Sequence, residues 1–224
     1  MSVSPGEDLR DVVAPGLEDL GRRVAACRVC RDAPLEKTPL PHEPRPVLRI
    51  SRTARIAICG QAPGARVHAS GLPFDDPSGD RLRDWLGVDR AVFYDVTRVA
   101  IIPMGFCFPG LDAKGGDLPP RKECARTWHD EIFAAMPQIG LVLAIGAYAQ
   151  SYHLGTARRK TLTETVADWR TIWERDVRPR ALPLPHPSWR NTGWLKRHPW
   201  FEIDVLPVLK KEVRTLIEHP DQSG

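Results

Sequence analysis

Four of the five cysteines fall into two groups whose residue type and spacing suit metal binding. Cys27 and Cys30 enclose two residues, while Cys107 and Cys124 flank a loop rich in Gly and Pro. Four thiolates can hold a tetrahedral zinc or a [4Fe–4S] cluster, and spacing alone does not choose between them. Cys59 lies inside an apolar run and reads as a small buried residue. The N-terminus lacks the pattern of a secretory signal, and no stretch approaches the ~20 apolar residues of a membrane span. A cytoplasmic location is therefore expected, where structural disulfides are disfavoured.

A second kind of chemistry resides in a short turn, Gly60-Gln61-Ala62-Pro63-Gly64. Its glycines permit a sharp bend that exposes backbone N–H groups, and Pro63 stiffens it. Such groups at a strand end can hold an oxyanion or a carbonyl oxygen. A helix-entry turn that binds nothing has the same composition. Later in the chain, His186-Pro187-Ser188 forms another compact polar turn.

The net charge of +4 leans mildly toward polyanionic partners. Basic residues cluster as Arg22, Arg23, Arg28 and Arg31, and again as Arg158, Arg159 and Lys160. A third group, Arg190, Lys196 and Arg197, is interleaved with Trp189, Trp194 and Trp200. Basic residues mixed with aromatics suit a surface that meets phosphates and unstacked bases. The alternative is a solvated basic face with its tryptophans in the core.

These groups need a scaffold. Residues 7–26 carry apolar positions at helical spacing, and Asp32 to Pro46 reads as loop. Short apolar runs at Arg55–Cys59, Val92–Val99, Leu141–Ile145 and Ala181–Leu184 read as buried strands. Helical segments are expected near 79–87, 120–135, 147–153, 161–174 and 200–218. This alternation predicts an α/β fold, a three-layer α/β/α sandwich around a central, mainly parallel four-stranded sheet. With 224 residues, 42% apolar and 27% charged, and no repeat or linker, one domain over 1–224 is expected. Residues 1–6 and 219–224 are expected to be flexible ends. Ligands of such sheets bind beyond the carboxyl ends of the strands. Both turns follow strands, so they are expected to line one crevice.

In sequence order, the motifs resemble those of the uracil-DNA glycosylase superfamily. A Gly-x-x-Pro turn is followed by Gly71-Leu72-Pro73-Phe74-Asp75-Asp76-Pro77-Ser78-Gly79-Asp80, then by His186-Pro187-Ser188-Trp189-Arg190-Asn191-Thr192-Gly193. The resemblance runs from about Cys27 to Lys196. The cysteine pattern is similar to that of the iron–sulfur branches, families 4 and 5. It implies a [4Fe–4S] cluster on Cys27, Cys30, Cys107 and Cys124, with zinc as the alternative.

The resemblance also implies roles. Phe74 would stack on the flipped base, and His186 would face the pyrimidine O2 and stabilise the departing anion. The backbone N–H groups of Gln61 and Ala62 would share that task, and Ser188 would contact a phosphate or cap the following turn. Family 1 places Asp, and family 4 Glu, in the first motif, where this chain has Ala62 and Gln61. Family 5 carries its aspartate just before an x-Ser-Gly element. Asp76 occupies the similar place here, with Asp75 as fallback, to position water or stabilise a cationic sugar. Arg190, Trp194 or Leu195 would be the wedge that holds the flipped state. The asparagine with which several families read the uracil edge has no counterpart in Tyr94–Val99.

The function implied is a monofunctional, monomeric DNA repair glycosylase. It would hydrolyse the N-glycosidic bond of uracil, or another deaminated base such as hypoxanthine, in DNA. The alternatives are a catalytically silent binder of damaged DNA, motivated by Gln61 and Ala62, and an iron–sulfur redox or sensing protein, motivated by the cysteines.

Overall fold

The computed structural model describes residues 16–35 and 38–218. The chain opens with helices α1 (Leu17–Ala25) and α2 (Val29–Asp32) and reaches strand β1 (Ile56–Cys59). Helices α3 (Ala65–Ser70), α4 (Pro77–Leu86) and α5 (Arg90–Tyr94) lead to β2 (Val99–Ile101). A long loop, α6 (Lys122–Cys124), a π-helical turn at Ala125–His129 and α7 (Asp130–Ala134) precede β3 (Leu141–Ile145). Then come α8 (Gly146–Leu154), α9 (Leu162–Ala167), α10 (Trp169–Trp173) and β4 (Arg180–Leu184). Beyond β4 lie α11 (Thr192–Arg197), a second π-helical turn at Phe201–Val205 and α12 (Leu206–Glu218).

The four strands form one parallel sheet in the order β2-β1-β3-β4. Side chains alternate across it, and the two faces differ in size. Ala57, Cys59, Ala100, Val142, Ala144 and Ala181 point to one face, where α1, α7 and α8 pack. Ile56, Ile58, Val99, Ile101, Leu141, Leu143, Ile145, Leu182 and Leu184 point to the other, against α4, α9, α11 and α12. Both faces are covered, so the strands read as unbroken apolar runs and the fold is a three-layer α/β/α sandwich. Pro183 is tolerated because β4 is an edge strand. The opposite edge, β2, is partly covered where Arg49 and Ile101 exchange backbone hydrogen bonds of 2.9 and 2.8 Å.

One expected strand is displaced. Val92–Val99 divides into the end of α5, a turn and the first residue of β2. Asp89 caps α5 by accepting the Val92 N–H at 2.8 Å, which starts a helix inside the apolar run. Asp95 then accepts the Thr97 N–H and hydroxyl, closing the turn before β2. Two local side-chain caps override the apolar pattern.

Of the expected helix at 7–26, residues 17–25 form α1 and 7–15 lie outside the described residues. The ends 1–6 and 219–224 lie outside them too. Among the described residues, no helix is long and apolar enough to cross a membrane.

Candidate active site

At the carboxyl ends of the strands lies a cavity of about 230 Å³. The turn after β1, Phe74, Asp76, Ser78, Asp117 and His186 all line it, so the two turns do share one crevice. Its volume is below that of drug-sized sites and suits one flat ring system.

The turn after β1 is fixed by its neighbours across the sheet. The Gly60 carbonyl accepts from the Met104 N–H, and the Gln61 carbonyl from the Gly105 N–H, both at 2.9 Å. In a trans peptide the N–H points opposite to the preceding carbonyl. The N–H groups of Gln61 and Ala62 are thereby turned away from the 104–105 backbone. The Gln61 side chain donates to the Leu118 carbonyl at 3.0 Å and ties the long loop to the turn.

Phe74 has φ = 57°, and it alone among the described non-glycine residues has positive φ. An aromatic residue in this region carries strain. The surroundings hold it there: Arg83 donates to its carbonyl at 3.3 Å, and Tyr94 donates to the Pro73 carbonyl at 2.8 Å. Its ring meets Phe93 edge-on at 6.0 Å.

Asp76 caps α4. Its Oδ1 accepts the N–H groups of Ser78 and Gly79 at 2.8 and 3.1 Å, and the Ser78 hydroxyl at 2.5 Å. Burial pushes its carboxyl up, but the Ser78 and Gly79 hydrogen bonds and nearby His186 outweigh that, leaving it below the ordinary carboxylate value. A carboxylate so held stays anionic and is a poor proton acceptor. Asp75 instead pairs with Arg90 at 2.8 Å.

His186 follows β4 and is half-buried. The Ser188 N–H donates to its Nδ1 at 3.2 Å, so the proton of the neutral ring sits on Nε2. Burial lowers its pKa below the ordinary histidine value; Asp76 and Asp117 oppose this and Arg190 adds to it. Asn191 donates to the His186 carbonyl at 2.7 Å. Arg81, on the helix that Asp76 caps, donates to the Ser188 carbonyl at 2.9 Å and the Thr192 hydroxyl at 3.2 Å. That bridge couples the two halves of the site.

The residues expected at a DNA surface separate. Arg190 is exposed, and Trp189 beside it is 75% exposed. Leu195 does not reach the surface: α11 turns it inward among Phe201 and Leu184, 8% exposed. Trp194 is partly buried, donates to the Thr163 hydroxyl at 2.8 Å and stacks on His198 at 4.5 Å. Ser188 is half-buried, with its backbone engaged on both sides.

Cys27, Cys30, Cys107 and Cys124 are brought together from three segments. The Cys30 and Cys124 thiols interact with each other, and Cys107 feels the charges of Cys30 and Cys27. The Cys30–Cys124 interaction pulls the Cys30 pKa down, with Arg121 adding to the effect, whereas burial pushes Cys107 up to about 12. Sulfur is also met by N–H donors, from Phe106 to Cys124 and from the Trp128 ring to Cys27, each at 3.3 Å. The set is purely thiolate and mostly buried, which fits an iron–sulfur cluster or zinc. Among the described residues, no three His, Cys, Asp or Glu side chains close on a single ion-sized point.

Sequence reasoning missed Asp117 and Arg81. Asp117 sits in a Gly-rich loop over fifty residues from the turn it faces, and Arg81 looks like an ordinary helical arginine. No local signal marks either.

A family model described as the uracil DNA glycosylase superfamily matches residues 49–210, which contain every cavity residue except Val47. The chain belongs to the uracil DNA glycosylase superfamily.

Proposed function

We propose that the protein is a monofunctional DNA glycosylase that hydrolyses the N-glycosidic bond of uracil, or another deaminated base, after the base leaves the stack. The observation that carries this reading is one base-sized cavity uniting Phe74, Asp76 and a neutral His186 with the Gly60–Gly64 turn. In this reading the flipped base stacks on Phe74. Its carbonyl oxygen accepts from Nε2–H of His186, helped by the N–H groups of Gln61 and Ala62. The C1′–N bond breaks with its electron pair moving to the base, and these donors stabilise the resulting anion. The Asp76 carboxylate stabilises the cationic sugar or orients the attacking water, and it does so as a fixed charge. Water adds to C1′ and loses a proton, leaving an abasic site.

In this reading Arg190 or the neighbouring Trp189 enters the base stack, which their exposure supports, and the insertion offsets an unstacking cost of about a few kcal/mol. Cys27, Cys30, Cys107 and Cys124 would hold a [4Fe–4S] cluster, or zinc in its place, tying the N-terminal helices to the 107–124 segment. A one-electron redox couple is the chemistry such a cluster supplies, and base hydrolysis does not need it. The protein is taken to act as a monomer on DNA, in the cytoplasm.

The test is base release from oligonucleotides carrying uracil, hypoxanthine, xanthine or a thymine mismatch, read as alkali-labile abasic sites. Release of none of them at high enzyme concentration rejects the enzyme. A second reading, a silent binder of damaged DNA, is favoured by one observation: three hydrogen bonds already occupy Oδ1 of Asp76. It requires tight, salt-sensitive binding to uracil-containing DNA without product.

A further inference from the structure

The cavity's walls are unevenly polar. Near the end of β2 it is lined by Ile101 and Pro103, whose side chains can neither donate nor accept. Beside the Gly60–Gly64 turn stands Asp117. Its Oδ2 would lie 3.6 Å from a Cβ on Gly64, an ordinary contact, and Asp117 itself lines the cavity. Asp117 also acts electrostatically on His186.

Asp117 is exposed at the rim, yet its backbone is firmly built. Leu111 and Asp117 form an antiparallel bridge, and the Leu118 N–H donates to the Gly110 carbonyl at 3.0 Å. Asp112 Oδ1 accepts the N–H groups of Lys114 and Gly116 at 2.8 and 2.9 Å, closing the tip. Gln61 then fastens the loop to the turn through the Leu118 carbonyl. A loop braced at its tip, stem and far side holds its carboxylate at a defined place.

We infer that Asp117 reads the edge of the flipped base by accepting its ring N–H. This deepens the glycosylase reading and rests on it. A carboxylate offers acceptors only. Deamination of cytosine converts N3 from a lone pair to N–H, and deamination of adenine does the same at N1. An acceptor at that position therefore favours both products and meets a repelling lone pair on either parent base. It ignores the carbonyl beside the N–H, so uracil and hypoxanthine satisfy it alike. A site built to pair with a substrate N–H rejects the analogue that lacks it.

The experiment compares wild type, Asp117→Ala and Asp117→Asn in two measurements. One is calorimetric binding of free uracil and of 3-methyluracil, which has no N3–H. The other is base release from DNA containing uracil or hypoxanthine. Wild type is expected to bind uracil at least about tenfold more tightly than 3-methyluracil, and Asp117→Ala should erase the difference. Asp117→Asn, which retains one acceptor oxygen, should keep part of it. For both substrates kcat/KM is expected to fall about 10–100-fold in Asp117→Ala. If the uracil preference survives in Asp117→Ala while wild type releases base, the inference is overturned and the glycosylase stands. If the preference depends on Asp117 but no base is released, the inference stands and the glycosylase falls. A wild type that neither prefers uracil nor releases any base overturns both.

Discussion

A Cβ on Gly79 would lie 1.8 Å from the carbonyl oxygen of Phe74, so these residues are neighbours only because one lacks a side chain. Gly79 lies in the first turn of α4, and its N–H is also one of the three donors to Asp76. One residue therefore both admits the strained Phe74 backbone and satisfies the Asp76 carboxylate. The Phe74 backbone and the Asp76 carboxylate are set by the same turn of helix.

Gly79→Ala should consequently damage the site more than a helical Gly→Ala normally would. Better helix propensity contributes less than about 1 kcal/mol, whereas forcing Phe74 aside costs about 1–3 kcal/mol. Urea unfolding should show a net loss, and base release should fall further than the stability change accounts for. A variant that is more stable and fully active contradicts the close approach.

Asp76 has a structural task and a proposed chemical one, and two substitutions separate them. Asparagine caps helices about as well as aspartate, while alanine costs about 1 kcal/mol. Asp76→Asn is expected to unfold near the wild-type denaturant midpoint yet lose about 10²–10³-fold in kcat, in the range of a lost electrostatic stabiliser. Asp76→Ala should lose both. Full activity in Asp76→Asn removes its charge from the mechanism.

The pH dependence has a definite sign. His186 has its pKa lowered by burial, so the ring is neutral above the ordinary value near 6.5. Activity should be level from about pH 7 to 9 and decline only as acid protonates His186 below that value. Stability follows the same direction. Burial pushes His129 down to about 4 and His153 down to about 3. Their contribution is complete above about 6.5 and is lost as the pH falls through those values. Circular dichroism across pH 3–8 and a pH–rate profile test this; a rate still climbing above pH 8 speaks against a neutral His186.

The cysteine set makes a separate claim. Cys124→Ser removes a thiol that accepts from the Phe106 N–H and interacts with Cys30. Bound metal and any visible absorbance should disappear, with a loss of thermal stability, because metal binding by a thiolate set contributes to folding. Iron and sulfide analysis of wild type distinguishes a cluster from zinc. Unchanged metal content in Cys124→Ser excludes Cys124 as a ligand.

Much of the fold is written locally. β1, β3 and β4 are apolar runs bounded by turn residues, and α4 and α9 between them carry side-chain caps of their own. β2 is less legible, because Asp89 and Asp95 make caps that divide the apolar run before it. α11 shows the opposite limit. Trp194 and Leu195 sit among basic residues and resemble a DNA-facing pair, but packing against Phe201 and His198 draws both inward and leaves Trp189 outside.

By itself the sequence determined three of the four strands, the two turns at their carboxyl ends and the residue types available for chemistry, because each depends on neighbours a few positions away. Tertiary structure alone decided that Asp117 faces Gly64, that Arg81 bridges to the Ser188 loop, and that four cysteines from three segments lie in one neighbourhood. Those pairings depend on how layers stack and loops return across the sheet, over separations from 17 residues (Cys107 to Cys124) to 107 (Arg81 to Ser188). No local spacing encodes them.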